Sequence, residues 1–464
     1  MALAIRLIRA LTVFGLIFTS YLVQIGLGRL FGRWQTDPET GRERRELPDW
    51  LHRRRRQVDL NNAGRLLRGI LRLRGVYIKL GQVLSIMGGF LPRVYARILE
   101  PLQDQVPPHP FSDVVGTFEQ SFGRSIHEAF DHIEEKPIAS ASLGQVHVAH
   151  LPDGTKVAVK VLYKGIRDVV RVDMRVIGLA VKVYKWFVPV QGLERVHSSL
   201  VDLLRRETDY EHEAACMERM AANFAAQPDI LFPSVVRALS SRDVLTMTFM
   251  EGVKITNLGA IEALGVERRK VAHRLVQSFY QQILVDRFFH ADPHPGNFLV
   301  QADPETHAPR IVVLDFGAVC EVEPQMVDGM IDILQGIFFK KSELVLGGFH
   351  KMGFVAQDGN RELLERTVMT YFQKLLSIER SAGQLMRAST RELEKLADPE
   401  VARMELRELM RSIEYPEGWF YVERASVLLF WLVGQIEPDL DSLTIGLPYV
   451  MPILAERQRR AAMG

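Results

Sequence analysis

Residues 288–300 read F-F-H-A-D-P-H-P-G-N-F-L-V, and after a hydrophilic break residues 311–317 read I-V-V-L-D-F-G. The apolar runs 298–300 and 311–314 are bounded by Pro, Gly and Asp, which predicts two short buried strands flanking a turn. Asp292 and Asn297 precede the first strand and Asp315 follows the second. An acid, an amide and a second acid presented together suit phosphoryl transfer. Asp292 would orient or deprotonate an attacking oxygen, while Asn297 and Asp315 would hold Mg²⁺ against the phosphates. The spacing H-x-D-x-x-x-x-N followed by D-F-G is that of a kinase catalytic loop and metal loop. D-F-G alone is a common turn tripeptide. His290, Asp292 and His294 also have the chemistry of a Zn or Fe cluster of hydrolase type, but that reading leaves Asn297 and the D-F-G strand without a role.

Working upstream, residues 138–150 read I-A-S-A-S-L-G-Q-V-H-V-A-H, followed by L-P-D-G and then T-K-V-A-V-K-V. This predicts two strands joined by a hairpin with Asp153-Gly154 at its tip. Val157, Val159 and Val161 share one face of the second strand; Lys156, Ala158 and Lys160 share the other. V-A-V-K is the form in which a kinase lysine, here Lys160, reaches the α- and β-phosphates. Ala139, Ser140, Ala141 and Ser142 stand where a protein kinase has a glycine-rich cover. Alanine disfavours φ > 0, so this loop is expected to hold nucleotide differently, through serine hydroxyls or with altered phosphate selectivity. Further on, L-L-R-R-E-T-D-Y-E-H-E-A-A (203–215) crowds Glu207, Asp209, Glu211 and Glu213 on one helix. A kinase needs one such acid opposite its strand lysine; a solvated acidic face is the plainer alternative. After Gly317 the chain runs through E-V-E-P (321–324) into a helical pattern at 326–339, with no long activation segment and no A-P-E. That argues against an ordinary protein kinase.

The chain has 464 residues, a net charge of +2, 47% hydrophobic and 25% charged residues, which describes two or three packed units and gives no global argument for nucleic acid. Cys216 and Cys320 are too few and too far apart for a disulfide framework or a metal knuckle. Between Arg9 and Arg29 there is no charge, a length that can just cross a bilayer core of about 30 Å. Thr12, Thr19, Ser20 and Gln24 keep an interfacial helix open as the alternative. Arginines are in excess after the segment, including the run 53–56, which places the following domain on the cytoplasmic side if the segment spans. Beside an apolar anchor these arginines point to anionic lipid headgroups rather than to nucleic acid, since no aromatic residues interleave with them. Residues 59–104 carry helical periodicity and contain V-Y-I-K-L-G-Q-V-L-S (76–85), a lysine on an otherwise apolar face. The plain reading of Lys79 is a snorkelling side chain. Prolines 92, 101, 107, 108 and 110 then mark a boundary.

I-K-L-G-Q, the Ala/Ser loop, E-T-D-Y-E-H-E-A, F-F-H-A-D-P-H-P-G-N and L-D-F-G together resemble the UbiB/ADCK family of atypical kinase-like proteins over roughly residues 58–330. The resemblance implies an α+β, two-lobed protein-kinase-like fold with an N-terminal helical extension. It implies ATP or ADP with Mg²⁺ as ligands, ATPase activity, and a role in isoprenoid quinone (ubiquinone) lipid biosynthesis or handling at membranes, with a quinone or its precursor and quinone-biosynthesis enzymes as partners. By motif, Lys79 and Gln82 would belong to the extension covering the site, with Glu207 and Asp209 meeting Lys79. Lys160 would pair with Glu213, Asp292 would take the catalytic-aspartate position, and Asn297 and Asp315 the metal positions. The expected organisation is a membrane-anchoring or interfacial segment (1–34), a basic linker with the K-x-G-Q extension (35–110), an N-lobe with a helical insert (111–255) and a helical C-lobe (256–464). Two other readings stay open: a small-molecule phosphotransferase, because His294 stands where protein kinases carry lysine, and a nucleotide-binding pseudokinase scaffold.

Overall fold

The computed structural model describes residues 2–36, 43–78, 80–81, 93–99, 108–185, 193–339, 341–354, 416 and 418–463. Helix α1 (Ala2–Phe31) is followed by a two-stranded hairpin, Arg33–Thr36 with Glu43–Glu46, and by helix α2 (Asp49–Leu73). The helical extension thus starts ten residues before the apolar periodicity at 59. Leu51 is buried and draws the arginine run 53–56 into the same helix.

The N-lobe is a sheet in which β1 (Ala139–Ser140) and β3 (Lys156–Leu162) flank β2 (Gly144–His150), and β3 pairs on its other side with β4 (Val244–Thr248), all antiparallel. The strand at His132–Ile133 extends the edge of β2. The valine alternation decides which way this sheet faces. Val157, Val159 and Val161 are buried against Phe118 and Phe130 from the helical stretch that precedes the sheet. The opposite face turns Lys160 toward the cleft. Helices α3 (Ile166–Lys185), α4 (Leu193–Glu207) and α5 (Tyr210–Asn223) intervene between β3 and β4.

Gly252 links the lobes at φ +149°, and a Cβ there would lie 2.9 Å from the Leu299 Cβ and 3.2 Å from the Val300 carbonyl oxygen. Only glycine fits so close an approach. The C-lobe carries helix α6 (Arg268–Tyr280), strands β5 (Phe288–His290), β6 (Phe298–Ala302), β7 (Pro309–Val313) and β8 (Val319–Glu321), and helix α7 (Trp419–Ile436). β6 and β7 form an antiparallel hairpin with Phe298 opposite Val313, and β5 pairs with β8. The two apolar runs are therefore the buried strands expected of them. A helix begins at Pro324, three residues after β8, so no activation segment intervenes. The fold is α+β and kinase-like.

α1 does not stand apart from this body. Arg6 forms an ion pair at 2.5 Å with Asp173 on α3, whose side chain is 1% exposed. Tyr21 donates to Asp59, Gln24 donates to the Leu51 carbonyl, and Ala10 and Ile17 join the main hydrophobic core. Its other face is apolar and exposed, with Ile8, Leu11, Leu16, Leu22 and Leu30. Among the described residues α1 is the one helix long and apolar enough to cross a membrane.

Candidate nucleotide site

Lys160 reaches from β3 into the cleft and meets two carboxylates: Glu213 of α5 at 2.5 Å and Asp315, just beyond β7, at 3.2 Å. Glu213 also accepts the Phe316 N–H at 3.3 Å, and Asp315 accepts the Gly317 N–H at 3.2 Å. Three distant segments of chain are thereby fastened at one ammonium. Phe316 is fully buried, against Phe232 and His290, which anchors the loop carrying Asp315.

Burial alone would pull the Lys160 ammonium down, but the charges of Asp315 and Glu213 outweigh it and push it above the ordinary lysine range. Burial lifts Glu213 to about 7 even against the attraction of Lys160. Asp315, 42% exposed, is subject to the same desolvation, yet Lys160 and His290 hold it well below the ordinary carboxylate range. Of the two acids on Lys160, Asp315 is the more readily ionised.

Asn297 donates from Nδ2 to the Asp292 carbonyl at 3.0 Å, which fixes the turn between the catalytic position and β6. An amide oxygen and one carboxylate are the hard, sparse donor set that suits Mg²⁺, which takes its remaining ligands from phosphates and water. No three His, Cys, Asp or Glu side chains converge for a metal among the described residues. The Zn or Fe reading finds no such convergence, and the two histidines are engaged within the loop. His290 uses Nδ1 to accept the Asp292 N–H at 3.1 Å, and His294 uses Nδ1 to accept the Gly296 N–H at 3.2 Å.

In the alanine loop, Ala141 donates its N–H to the Gly144 carbonyl at 2.8 Å, and none of Ala139, Ser140, Ala141 or Ser142 has positive φ. An amide that a glycine-rich cover would offer to phosphate is used inside the loop instead. Ala139 and Ala141 are exposed at the edge of β2.

Glu207 lies over the metal loop: a Cβ added to Gly317 would be 3.5 Å from its Cγ. Asp209 has two partners among the described residues, and its expected partner Lys79 lies outside them. It caps α5 by accepting the His212 N–H and pairs with Arg242 at 3.1 Å. An acid at a helix start satisfies one of the unpaired backbone amides there. Lys79 and Gln82 lie outside the described residues.

One contact was not expected from sequence. Arg424 of α7, 8% exposed at its side chain, places Nη2 2.7 Å from Asp292 Oδ2. The only sequence signal is a single arginine at the head of the apolar run 425–434.

Residues 101–346 match the ABC1 atypical kinase-like domain. The chain is 30% identical over 415 residues to the chloroplastic protein Activity of BC1 Complex Kinase 8 of Arabidopsis thaliana, a match covering 85% of this chain and 54% of that one. It is 36% identical over 275 residues to the probable protein kinase UbiB of Marinobacter nauticus, covering 58% of this chain and 49% of that one. The chain spans about half to two thirds of the length of the curated relatives it matches. A solved structure of a Mycobacterium tuberculosis protein in complex with erythromycin shares the fold, with a TM-score of 0.53 at 24% identity, covering 85% of this chain and 97% of that one.

Proposed function

The chain belongs to the ABC1 atypical kinase-like family, within which the UbiB/ADCK resemblance falls, and from that premise we propose that it is an ATP-dependent atypical kinase or ATPase of UbiB type, working at a membrane in isoprenoid quinone metabolism. The observation that carries the catalytic half is the bridge from Lys160 to both Glu213 and Asp315, at 2.5 and 3.2 Å. It joins the strand lysine, the helix acid and the metal-loop acid in the arrangement phosphoryl transfer requires.

On this reading Lys160 positions the α- and β-phosphates, and Asn297 and Asp315 hold Mg²⁺, which when bound neutralises phosphate charge. Asp292 orients the attacking hydroxyl or water. A new O–P bond forms at the γ-phosphorus, the bond to the β–γ bridging oxygen breaks, and ADP leaves with that electron pair. The nucleophile's proton passes to Asp292 or to a phosphate oxygen. The missing activation segment favours a small nucleophile, a lipid head or water, over a protein substrate.

The membrane half rests on α1, which has an exposed apolar face and packs on α2, the helix that carries the arginine run. Because the opposite face is tied to α2 and α3, an in-plane position in the lipid interface suits α1 better than a free span. The arginine run favours an anionic leaflet, the cytoplasmic one, for this contact and with it the cytoplasmic side for the catalytic body.

The test is a titration with Mg-ADP and Mg-ATP together with a turnover assay. Asp315→Asn is expected to lower Mg-nucleotide affinity at least about ten-fold, the loss of one charged ligand among few, with the fold retained. Unchanged affinity would remove Asp315 from the metal site. A wild-type protein that binds nucleotide but never turns it over, with or without lipid, would leave the scaffold reading instead.

A further inference from the structure

Helix α7 lies wholly beyond the residues that match the family domain, which end at 346. It packs on α6 and is largely apolar: Phe420, Ala425, Leu429, Leu432, Val433 and Ile436 are buried. Into that packing it carries one guanidinium, that of Arg424, and the chain brings the carboxylate of Asp292 to it. Nε and Nη1 of Arg424 are buried and make no hydrogen bond among the described residues. The other charged or titratable groups that it feels, His290, Cys320 and Tyr421, offer it no counter-charge.

A buried cation with one anionic partner is costly to place and is held where that partner is. The constraint is reciprocal. A buried guanidinium donates a charge-assisted hydrogen bond along a fixed direction, so its Nη2 contact restrains Oδ2 of the Asp292 carboxylate. Behind it, the Asp292 backbone is pinned from two further sides: its N–H donates to His290 and its carbonyl accepts from Asn297. The aspartate is thereby clamped through N–H, C=O and carboxylate. Two of these clamps lie within the loop; the third comes from a helix more than a hundred residues downstream.

We propose that Arg424 is a positioning residue for Asp292, so that α7 forms part of the catalytic apparatus. The inference rests on the reading of Asp292 as the residue that orients the nucleophile. Arg424 acts through that aspartate and makes no contact with nucleotide in this role. Its loss leaves the binding machinery of Lys160, Glu213 and Asp315 in place and lets the carboxylate rotate, which affects the rate and spares the affinity.

The experiment compares Arg424→Gln, Arg424→Lys, Asp292→Asn and the double variant Asp292→Asn/Arg424→Gln in the full chain, reading kcat, KM and the Kd of Mg-ADP. Arg424→Gln is expected to lower kcat about ten- to hundred-fold, the scale of a misplaced catalytic group, with Kd within about two-fold of wild type. Arg424→Lys, which keeps the charge without the fork, should recover part of the loss. The double variant should be no slower than Asp292→Asn, because Arg424 has nothing left to position. If Arg424→Gln turns over within two-fold of wild type while Asp292→Asn is inactive, the inference falls and the reading of Asp292 stands. If Asp292→Asn turns over like wild type, that reading falls and takes the inference with it. Should Arg424→Gln fail to fold, Arg424→Lys decides: reduced kcat at unchanged Kd supports the role, and wild-type kcat overturns it.

Discussion

At Lys160 a primary ammonium is taken almost out of water and stabilised only because two acids from distant segments close on it. His147 on β2 shows the opposite solution for a buried base. It is fully buried, its Nδ1 lies 2.7 Å from the Glu134 carbonyl and its Nε2 lies 2.9 Å from the Gln145 side-chain amide. A neutral ring that donates at Nδ1 and accepts at Nε2 satisfies both contacts; a charged ring cannot. Burial, the larger influence, accordingly lowers its pKa against the pull of Glu134. The folded-state value is below that of the unfolded chain, about 6.5, so the unfolded chain takes up protons first. The stability that neutral His147 contributes is complete above that pH and is lost as pH falls through the folded-state value. Urea midpoints measured from pH 7.5 to 5.0 should therefore drop more steeply in wild type than in His147→Gln, while the other lowered histidines, His212 and His290, contribute to both slopes alike. Parallel slopes would mean that His147 does not set the acid limit. The neighbouring Gly144 is equally constrained, since a Cβ there would meet the Val161 carbonyl at 2.6 Å and the Tyr210 hydroxyl at 2.7 Å.

Among the elements, α1 has the most consequence for how the chain is understood. Its uncharged stretch has the length of a membrane span, but the helix is fastened to α3 by Arg6 and to α2 along much of its length. Arg6 reaches Asp173 with Nε and Nη2 and also donates to the Arg74 carbonyl, so it joins α1, α2 and α3 at one point. Asp173 is 1% exposed, and burial raises its pKa against the pull of Arg6. Removing the cation alone leaves that carboxylate stranded. Arg6→Met is expected to cost about 3–5 kcal/mol in chemical unfolding, the range for breaking one side of a buried pair. Asp173→Asn added to Arg6→Met should return part of it, because the neutral amide is cheaper to bury. Equal stability of the single and double variants would show that the pair does not hold α1 in place.

For the whole molecule, this docking changes what removal of the N-terminus should do. A span tethered by a linker could be cut away without harm to the domain. A chain beginning at Thr36 instead loses Arg6, uncovers the faces of α2 and α3 that receive Ala10 and Ile17, and leaves Asp173 without its cation. It is expected to leave the membrane fraction, to unfold at a lower temperature than the full chain, and still to bind Mg-nucleotide below that temperature, since no residue of α1 reaches Lys160, Glu213 or Asp315 among the contacts described. Unchanged thermal stability on truncation would show α1 to be a detachable anchor. The periodicity of the sequence determined the elements that lie near one another in the chain: the β6–β7 hairpin, the valine face of β3, the short passage from Asp315 to the next helix. Each depends on alternation, turn residues and spacing, which are local and present in the letters. The approach of Glu213 to Lys160 was implied by the family resemblance, while spacing by itself left Glu207, Asp209, Glu211 and Glu213 as candidates. What only the tertiary structure decided are contacts between residues whose local sequence has no reason to specify a partner. Asp209 turned to Arg242 and its own helix cap, Arg6 crossed to Asp173 at a separation of 167 residues, and Arg424 came to Asp292 from an apolar helix. A lone charge beside an apolar run signals only that a counter-charge is needed. Which one supplies it is settled when the helices pack, because burial makes every unpaired charge prohibitive and leaves the nearest opposite charge as the solution.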